Sequence, residues 1–314
     1  SKEVTQWQNL AHRTVDDLKA YDIDSYMNTW ATAIDAANHT VTAMRGGDQL
    51  TFTYDKLMVG TGAVPKELPI AGEGAGIHVL HTMGDFFDIE AQLVQHQPKR
   101  AAIVGAGYVG IEMAEALTRR DVSVTLIQRG SEVLSTVEPD LGASVHDALR
   151  NNGVTVLTDE TITEIQATEA GYQLVGSTTD DAFDFVLVVV GVRPNSELLV
   201  NAGATVTDQN AVVVDDHMRT NLPDVYAAGD LVQTKHRLLG ETYLPRGTTA
   251  HKQGRVSGAN IVGRESHFAG IIGSQVLRAF DVIVARTGLL PNEATAAGFT
   301  AITTTAVVDD HKGY

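Results

Sequence analysis

"RAAIVGAGYVGIEMAEAL", residues 100–117, is the stretch whose reading decides the fold. A short apolar run at 101–104 reads as a buried strand. Glycines follow at 105, 107 and 110, and a helical apolar pattern runs from 110 to 120. Each glycine answers a different demand. Gly105 permits the tight turn out of the strand, Gly107 lets the backbone approach a pyrophosphate, and Gly110 allows close helix–sheet packing. The helix N-terminus then offers unpaired N–H groups and a positive dipole end to the anion. A lone G-x-G-x-x-G is weak evidence. Here it sits between a predicted strand and a predicted helix, and "VSVTLI" at 122–127 supplies the next strand. That context predicts dinucleotide binding, with Tyr108 and Val109 in the loop, over a tight βα turn that holds nothing.

An NAD site places a carboxylate at the end of that second strand, on the ribose 2′-hydroxyl. This chain has Gln128 there, followed by Arg129. An amide removes the repulsion that an acid imposes on a 2′-phosphate, and the arginine can pair with one. Alternatively, Gln128 bonds the hydroxyl and Arg129 faces water. Both readings stay open, and the residues lean towards NADP.

Working outward, the pattern predicts an amphipathic helix over 2–20, from Val4, Trp7, Ala11, Val15 and Leu18. Strands follow at 39–44 and 50–55 around a turn at Gly46 and Gly47, then an apolar strand over 56–65. A polar linker is expected at 94–100. Residues 138–153 read as a helix closed by Gly153, and 154–157 as a strand. A β-excursion through 161–166 and 172–176 leads to a buried strand over 185–191, and 247–262 is the last clear helix. Helix-separated apolar strands imply a parallel sheet with right-handed crossovers.

The 314 residues suffice for two or three domains. A net charge of −16 argues against nucleic-acid and anionic-membrane partners. No apolar run is long enough to span a bilayer, and no signal-peptide core opens the sequence, so cytoplasmic residence is expected. With no cysteine, these residues hold no disulfide, thiolate metal site or thiol nucleophile.

"VYAAGD", 225–230, ends a small-residue strand in Gly229 and Asp230, putting a carboxylate at a strand edge where α/β sheets bind ligands. The motif resembles the second flavin motif of the pyridine nucleotide-disulfide oxidoreductase superfamily, in which the matching Asp bonds the FAD ribityl chain. Other resemblances follow in the family's order. "YDKLMVGTGAVP", 54–65, is similar to the return into the FAD domain, with Thr61 and Gly62 near the flavin nucleotide. "GAGYVGIEMAEAL" is similar to the NAD(P) loop, with Glu112 facing the nicotinamide and flavin. "VVVGVRPNSEL", 188–198, resembles the end of the NAD(P) domain, with Gly191 near the nicotinamide. "GTTAHKQGRVSGANIVG", 247–263, resembles the flavin-facing helix, with Thr248, Thr249 and Ala250 by the isoalloxazine. That motif and "VARTGLLPNEATAAGF", 284–299, point to the branch of CoA-disulfide reductases and NADH oxidases.

The resemblance implies an α/β fold with two Rossmann-like FAD/NAD(P)-binding domains, the first incomplete, plus a truncated α+β interface domain. The expected divisions are 1–93 and 213–264 for FAD, 94–212 for NAD(P), and 265–314 for a dimerisation segment. It implies a homodimeric flavoprotein passing a hydride from NAD(P)H through FAD to a disulfide, CoA disulfide first, or to peroxide or oxygen. Family members also open with another G-x-G-x-x-G loop and then a redox cysteine. Neither occurs here before Gly105. A fragment trimmed at both ends is therefore expected, with a natural cysteine-less relative or a degenerate nucleotide-binding protein as the alternatives. A ferredoxin- or rubredoxin-type reductase and a redox-silent NAD(P)-binding module are the competing functions.

His78 and His81 form an H-x-x-H pair on an apparently extended segment, where no metal site is expected. His251 reads as a packed helix residue, with a positioning or proton-transfer role as the sharper alternative. Asp180 with Asp181, and Asp309 with Asp310, read as solvated loops, and no G-x-S-x-G elbow occurs.

Overall fold

The computed structural model describes residues 7–68, 76–169 and 171–308, and shows an α/β protein. Its centre is a five-stranded parallel sheet, in the order Ile77–His78, Phe185–Val188, Arg100–Val104, Ser123–Ile127 and Thr155–Leu157. Apolar side chains run continuously along the middle strands because both faces are covered. One face carries the helices α3 (Tyr108–Thr118) and α4 (Pro139–Asn151). Ile111, Ala114 and Leu117 of α3 recur at three-residue spacing, and Val145 and Leu149 of α4 at four, so each helix turns one stripe onto the sheet. The other face is covered by the antiparallel strands Ile162–Thr168, Gly171–Gly176 and Asp180–Phe183, with Ile165, Leu174 and Phe183 packed on Ala102 and Val186. Burying each such Ile, Leu or Phe contributes about 1.5–3 kcal/mol.

A second unit is built from an antiparallel meander, Trp30–Asp35, Thr40–Arg45 and Asp48–Thr53, beside a parallel pair, Leu57–Val59 with Val225–Ala227. Ile34, Val59, Val212, Val225, Ala227 and Leu231 form its core with Leu199 of α5 (Glu197–Asn201). Helix α6 (Gly247–Ile261) places Val256 against Met218, Phe268 and Ile271. The chain passes between the units through an antiparallel ribbon, Ala63–Pro65 on Val192–Pro194.

Several expectations shift. The amphipathic helix over 2–20 is not continuous: residues 2–6 lie outside the described residues, Trp7–Leu10 is one 3-10 turn, and α1 (Val15–Lys19) starts afresh. Thr14 takes an extended backbone and forms a capping box with Asp17, and that restart breaks the apolar stripe. The linker expected over 94–100 is largely helical, being the end of α2 (Met83–His96), which Gln97 closes in a left-handed conformation before Pro98. Ile89 of α2 packs in the core beside the five-stranded parallel sheet, and the strand Ile77–His78 is that sheet's edge, both upstream of residue 94. The strand expected over 56–65 is broken at Gly62, whose φ is +70°. Helix α3 starts two residues before Gly110, and the strand expected over 185–191 ends at Val188. Asp180 and Asp181 are exposed but lie in a strand rather than a loop, and Asp309 with Asp310 falls outside the described residues.

Among the described residues, the segment beyond 264 forms no core of its own. Its hairpin, Gln275–Ala279 with Val282–Arg286, sinks Leu277, Ala279, Phe280 and Val284 into the core shared by α3 and α4. The Phe280 amide donates to Glu115 Oε2 of α3 at 2.8 Å. Gln275 Nε2 donates to the Thr136 carbonyl at 2.9 Å, and Arg286 Nη1 bonds the same carbonyl. Arg246, at the start of α6, donates from Nη2 to Gln275 Oε1 at 2.5 Å. The short α7 (Pro291–Ala296) follows.

Candidate functional site

The strand Arg100–Val104 ends at Gly105, whose φ of +111° suits glycine. A Cβ there would meet the Val189 carbonyl oxygen at 2.5 Å. At Gly110 a Cβ would overlap the Gly105 carbonyl oxygen and lie 3.1 Å from its carbon, so the helix can approach the strand only without a side chain. Gly107 differs. It is the N-cap of α3, makes no side-chain capping bond, and would have nothing within 4 Å of a Cβ. The first-turn N–H groups lack intrahelical partners, and that turn carries no acid. Gly105 thus makes the turn under the Val189 carbonyl, Gly110 lets the helix close on the strand, and Gly107 leaves the helix start open. This open, uncapped helix start fits a pyrophosphate.

Tyr108 and Val109 open α3. The Tyr108 hydroxyl lies 3.1 Å from Thr136 Oγ1, the Arg246 guanidinium sits 5.6 Å from its ring centroid, and Val109 is exposed. Glu112 lies one turn on, with its carboxyl raised above the ordinary range by burial and then by Glu115. Gln128 folds back under the loop: its Oε1 accepts from the Ala106 amide, and its Nε2 donates to the Glu132 carbonyl, each at 3.4 Å. Its backbone is fixed by Leu157 and Glu160, which leaves Arg129 exposed at the rim. Among the described residues Arg129 makes no ion pair.

A second group forms around the ribbon between the units. Thr61 Oγ1 donates to the Asn195 carbonyl at 2.6 Å, while the Asn195 amide donates to the Gly62 carbonyl at 2.9 Å. Gly191, with φ +105°, accepts from the Lys66 amide. The structure therefore brings Thr61 and Gly62 beside the 191–195 segment, although 134 residues separate Thr61 from Asn195.

The third group is built on the strand Val225–Ala227. Gly229 has φ +93°, and its amide donates to Oε1 of Gln253, which is fully buried on α6. Asp230 follows, its carboxyl half-buried. Burial pushes its pKa up, while the Arg246 backbone amide and His81 act in the opposite direction. The Tyr243 hydroxyl donates to the Asp230 carbonyl at 2.8 Å, and burial, then Asp230, push that phenol up to about 12. At the start of α6, Thr248 is exposed, Ala250 half-buried and Thr249 buried. His251 is exposed.

Sequence reasoning missed two residues here. Gln253 positions Gly229, and hydrophobic periodicity did not mark it because the buried stripe of α6 is mostly polar, with Thr249, Ser257 and Asn260 around Val256. His81 donates through Nε2 to the Ala63 carbonyl at 2.8 Å and acts electrostatically on Asp230, so it links the ribbon to the Asp230 cleft. Its H-x-x-H neighbour His78 points elsewhere, stacking on Phe185 at 4.9 Å.

Residues 1–254 match the family described as pyridine nucleotide-disulphide oxidoreductase. The chain belongs to that family. Among curated members of this oxidoreductase family, it is 29% identical over 285 residues to the NAD(P)H coenzyme A polysulfide/persulfide reductase of Pyrococcus horikoshii, covering 90% of this chain and 63% of that protein. The NAD-dependent persulfide reductase structure from A. fulgidus superposes with a TM-score of 0.90 at 33% identity, covering 94% of this chain and 56% of that one. An engineered water-forming NADPH oxidase, a variant of the Lactobacillus brevis NADH oxidase, gives 0.89 at 27% identity, covering 95% of this chain and 67% of its own. The chain thus spans under two thirds of the length of the Pyrococcus relative. No described helix is long and apolar enough to cross a membrane.

Proposed function

We propose that this chain supplies the NAD(P)H site and half of the flavin site of a flavoprotein reductase, with NADPH as the favoured donor. The observation that carries the reading is the open, uncapped start of α3 at Gly107, held against the strand by two glycines that tolerate no Cβ. Its residues fit a dinucleotide: amides for the pyrophosphate, Gln128 in place of an acid, and Arg129 at the rim for a 2′-phosphate. The Lactobacillus brevis pair supports the NADPH preference, since the NADPH oxidase differs from its parent by substitutions that remove an aspartate and introduce two arginines.

For FAD, the residues present fit one half of the group. Asp230 offers a half-buried carboxylate held in place through Tyr243, Gln253 and the Arg246 amide, and Thr248 lies exposed at the start of α6. Among the described residues the only glycine-rich helix start of the pyrophosphate type is that of α3. Bound flavin supplies hydride acceptance and onward electron transfer. The chain's own part is to orient the nicotinamide ribose near Gly191, hold the ribityl chain at Asp230, and keep the ribbon between the units rigid through Thr61 and Asn195. With no cysteine, it forms no thiolate, so reduction of a CoA disulfide, persulfide, peroxide or oxygen is proposed for the whole protein rather than for these residues. On its own this span is proposed to be inactive.

The hairpin supports a homodimer. Its inward residues alternate with Val276 and Ile283, 66% and 68% exposed, which leaves an apolar outer strip for a second copy.

The test is a visible absorption spectrum of the purified chain with intact mass, followed by titration with NADPH and NADH. Saturable NADPH binding in a chain without a flavin band supports the reading. A full flavin complement at the mass of these residues would refute the half-site. Absence of nucleotide binding would refute the whole proposal.

A further inference from the structure

Away from both nucleotide clefts, two loops meet beside the C-terminal end of α6. In the first, Asp215 Oδ1 accepts from the His217 and Arg219 amides at 2.9 and 2.8 Å, which makes a tight turn over 215–219. The second, 262–268, follows α6. The buried side chain of Asn260 fastens them together. Its Nδ2 donates to the carbonyls of His217 and Ser266 at 3.1 and 2.8 Å, and its Oδ1 accepts from the Ser266 amide at 3.1 Å. The Phe268 amide adds a bond to the Asp216 carbonyl at 2.7 Å, with the Phe268 ring buried beneath.

On this platform stand Asp216, His217 and His267, whose donor atoms all lie within 4.8 Å of one another. His267 Nδ1 is 3.0 Å from Asp216 Oδ2, and His217 Nε2 is 3.7 Å from Asp216 Oδ1. Donors sharing a tetrahedral ion at about 2.0–2.1 Å lie about 3.3 Å apart, so these spacings bracket a chelate. The His217 tautomer is also set. Its Nδ1 faces the Ser266 carbonyl at 3.0 Å, and a carbonyl only accepts, so the proton is on Nδ1 and the Nε2 lone pair is free. A ligand imidazole held through its other nitrogen by a backbone carbonyl is the arrangement that orients metal-binding histidines. Glu265, 3.5 Å from His267 Nε2, adds negative charge at the rim.

We propose that Asp216, His217 and His267 bind a divalent transition metal of the zinc class. Two imidazoles and one carboxylate favour zinc, nickel or copper over the oxygen-seeking magnesium and calcium. The ion cross-links the 215–219 turn to the segment after α6. In the metal-free state the His267 Nδ1 proton lies on the bond to Asp216, because a carboxylate only accepts. A metal bound through that nitrogen displaces the proton to Nε2, on the side of Glu265.

The test is calorimetric titration of the untagged full chain with zinc chloride and with magnesium chloride. Expected are one zinc equivalent, no magnesium binding, and a zinc-raised thermal midpoint. His267→Ala, at an exposed position, and His217→Ala each weaken zinc binding at least about tenfold. His96→Asn, on a distant helix end, leaves it unchanged. Zinc affinity equal in His267→Ala and the parent, saturation only at many equivalents, or competition by magnesium overturns the proposal.

Discussion

Replacing Gly107 and Gly110 by alanine, one at a time, should separate ligand approach from packing. At Gly107 the backbone, φ −83° and ψ −167°, is one that alanine adopts without strain, and nothing lies within 4 Å of the added carbon. Restricting the unfolded chain favours alanine by about 0.4–1 kcal/mol, while its poorer N-cap preference costs about as much. Stability should therefore stay within about 0.5 kcal/mol of the parent. The methyl, however, occupies the space through which an anion reaches the α3 amides. Losing one charge-assisted hydrogen bond costs about 1.5–3 kcal/mol, or about 10- to 150-fold in NADPH affinity. At Gly110 the methyl overlaps the Gly105 carbonyl oxygen, so α3 must move. Such overpacking costs about 1–3 kcal/mol, and the melting point falls by roughly 2–12 °C. The assays are thermal unfolding and nicotinamide-fluorescence titration on the same samples. If Gly107→Ala binds NADPH as the parent does, the pyrophosphate is not seated at this turn. If it melts as low as Gly110→Ala, the assignment of open space is wrong.

Three other perturbations are informative. Arg129→Ala should weaken NADPH by about 1 kcal/mol, roughly fivefold at such an open site, and leave NADH unchanged; equal loss of both would remove the arginine from 2′-phosphate recognition. Glu160 is buried, which alone raises its pKa, but bonds from the Thr178 hydroxyl and the Thr178 and Thr179 amides lower it overall. Its stabilisation is then fully present at neutral pH and lost as pH falls through and below the ordinary glutamate range. Glu160→Gln should cost about 1–3 kcal/mol at neutral pH in a denaturant titration and much less in acid. His78 has a pKa lowered by burial, partly opposed by Asp88, and its buried Nε2 has no partner. The unfolded chain therefore takes up a proton first, so the parent loses stability as pH falls from about 8 to 5. His78→Phe, keeping the stack on Phe185, should flatten that slope, and an unchanged slope would shift the titration to another group.

What could be read from the sequence tracks how local each constraint was. The turn at 105–110 was legible because Gly105 and Gly110 express steric limits that no other residue meets, while Gly107 between them leaves the helix start open. The strands on either side were legible because burial on two faces leaves only apolar residues. Helix α2 was missed, though its signal was present: Thr82 and Asp85 form a capping box, but exposed Phe86 and Phe87 blurred the apolar stripe. The same kind of box at Thr14 and Asp17 divides what periodicity alone joined into one helix over 2–20. The motif at 247–250 does not reveal that Thr249 is buried while its neighbour Thr248 is exposed, because that depends on how α6 is rotated. The pairing of Thr61 with Asn195, of His81 with the Ala63 carbonyl, and of His217 with His267 was beyond sequence reading, because each depends on how separate segments are brought together.

The hairpin at 275–286 makes the glycine turn at 105–110 and helix α6 parts of one load path. Thr136 receives Gln275 and Arg286 on its carbonyl and lies beside the Tyr108 hydroxyl, while Gln275 also holds Arg246 ahead of α6. A push on Tyr108 at the start of α3 is thus relayed through two side chains to the start of α6, without passing through the parallel sheet. The same hairpin plugs the groove between α3 and α4 with Leu277 and Phe280. A protease that clipped the chain after α6 would therefore unseat the nucleotide unit rather than trim a tail, and the two ends of the relay would lose their rigidity together.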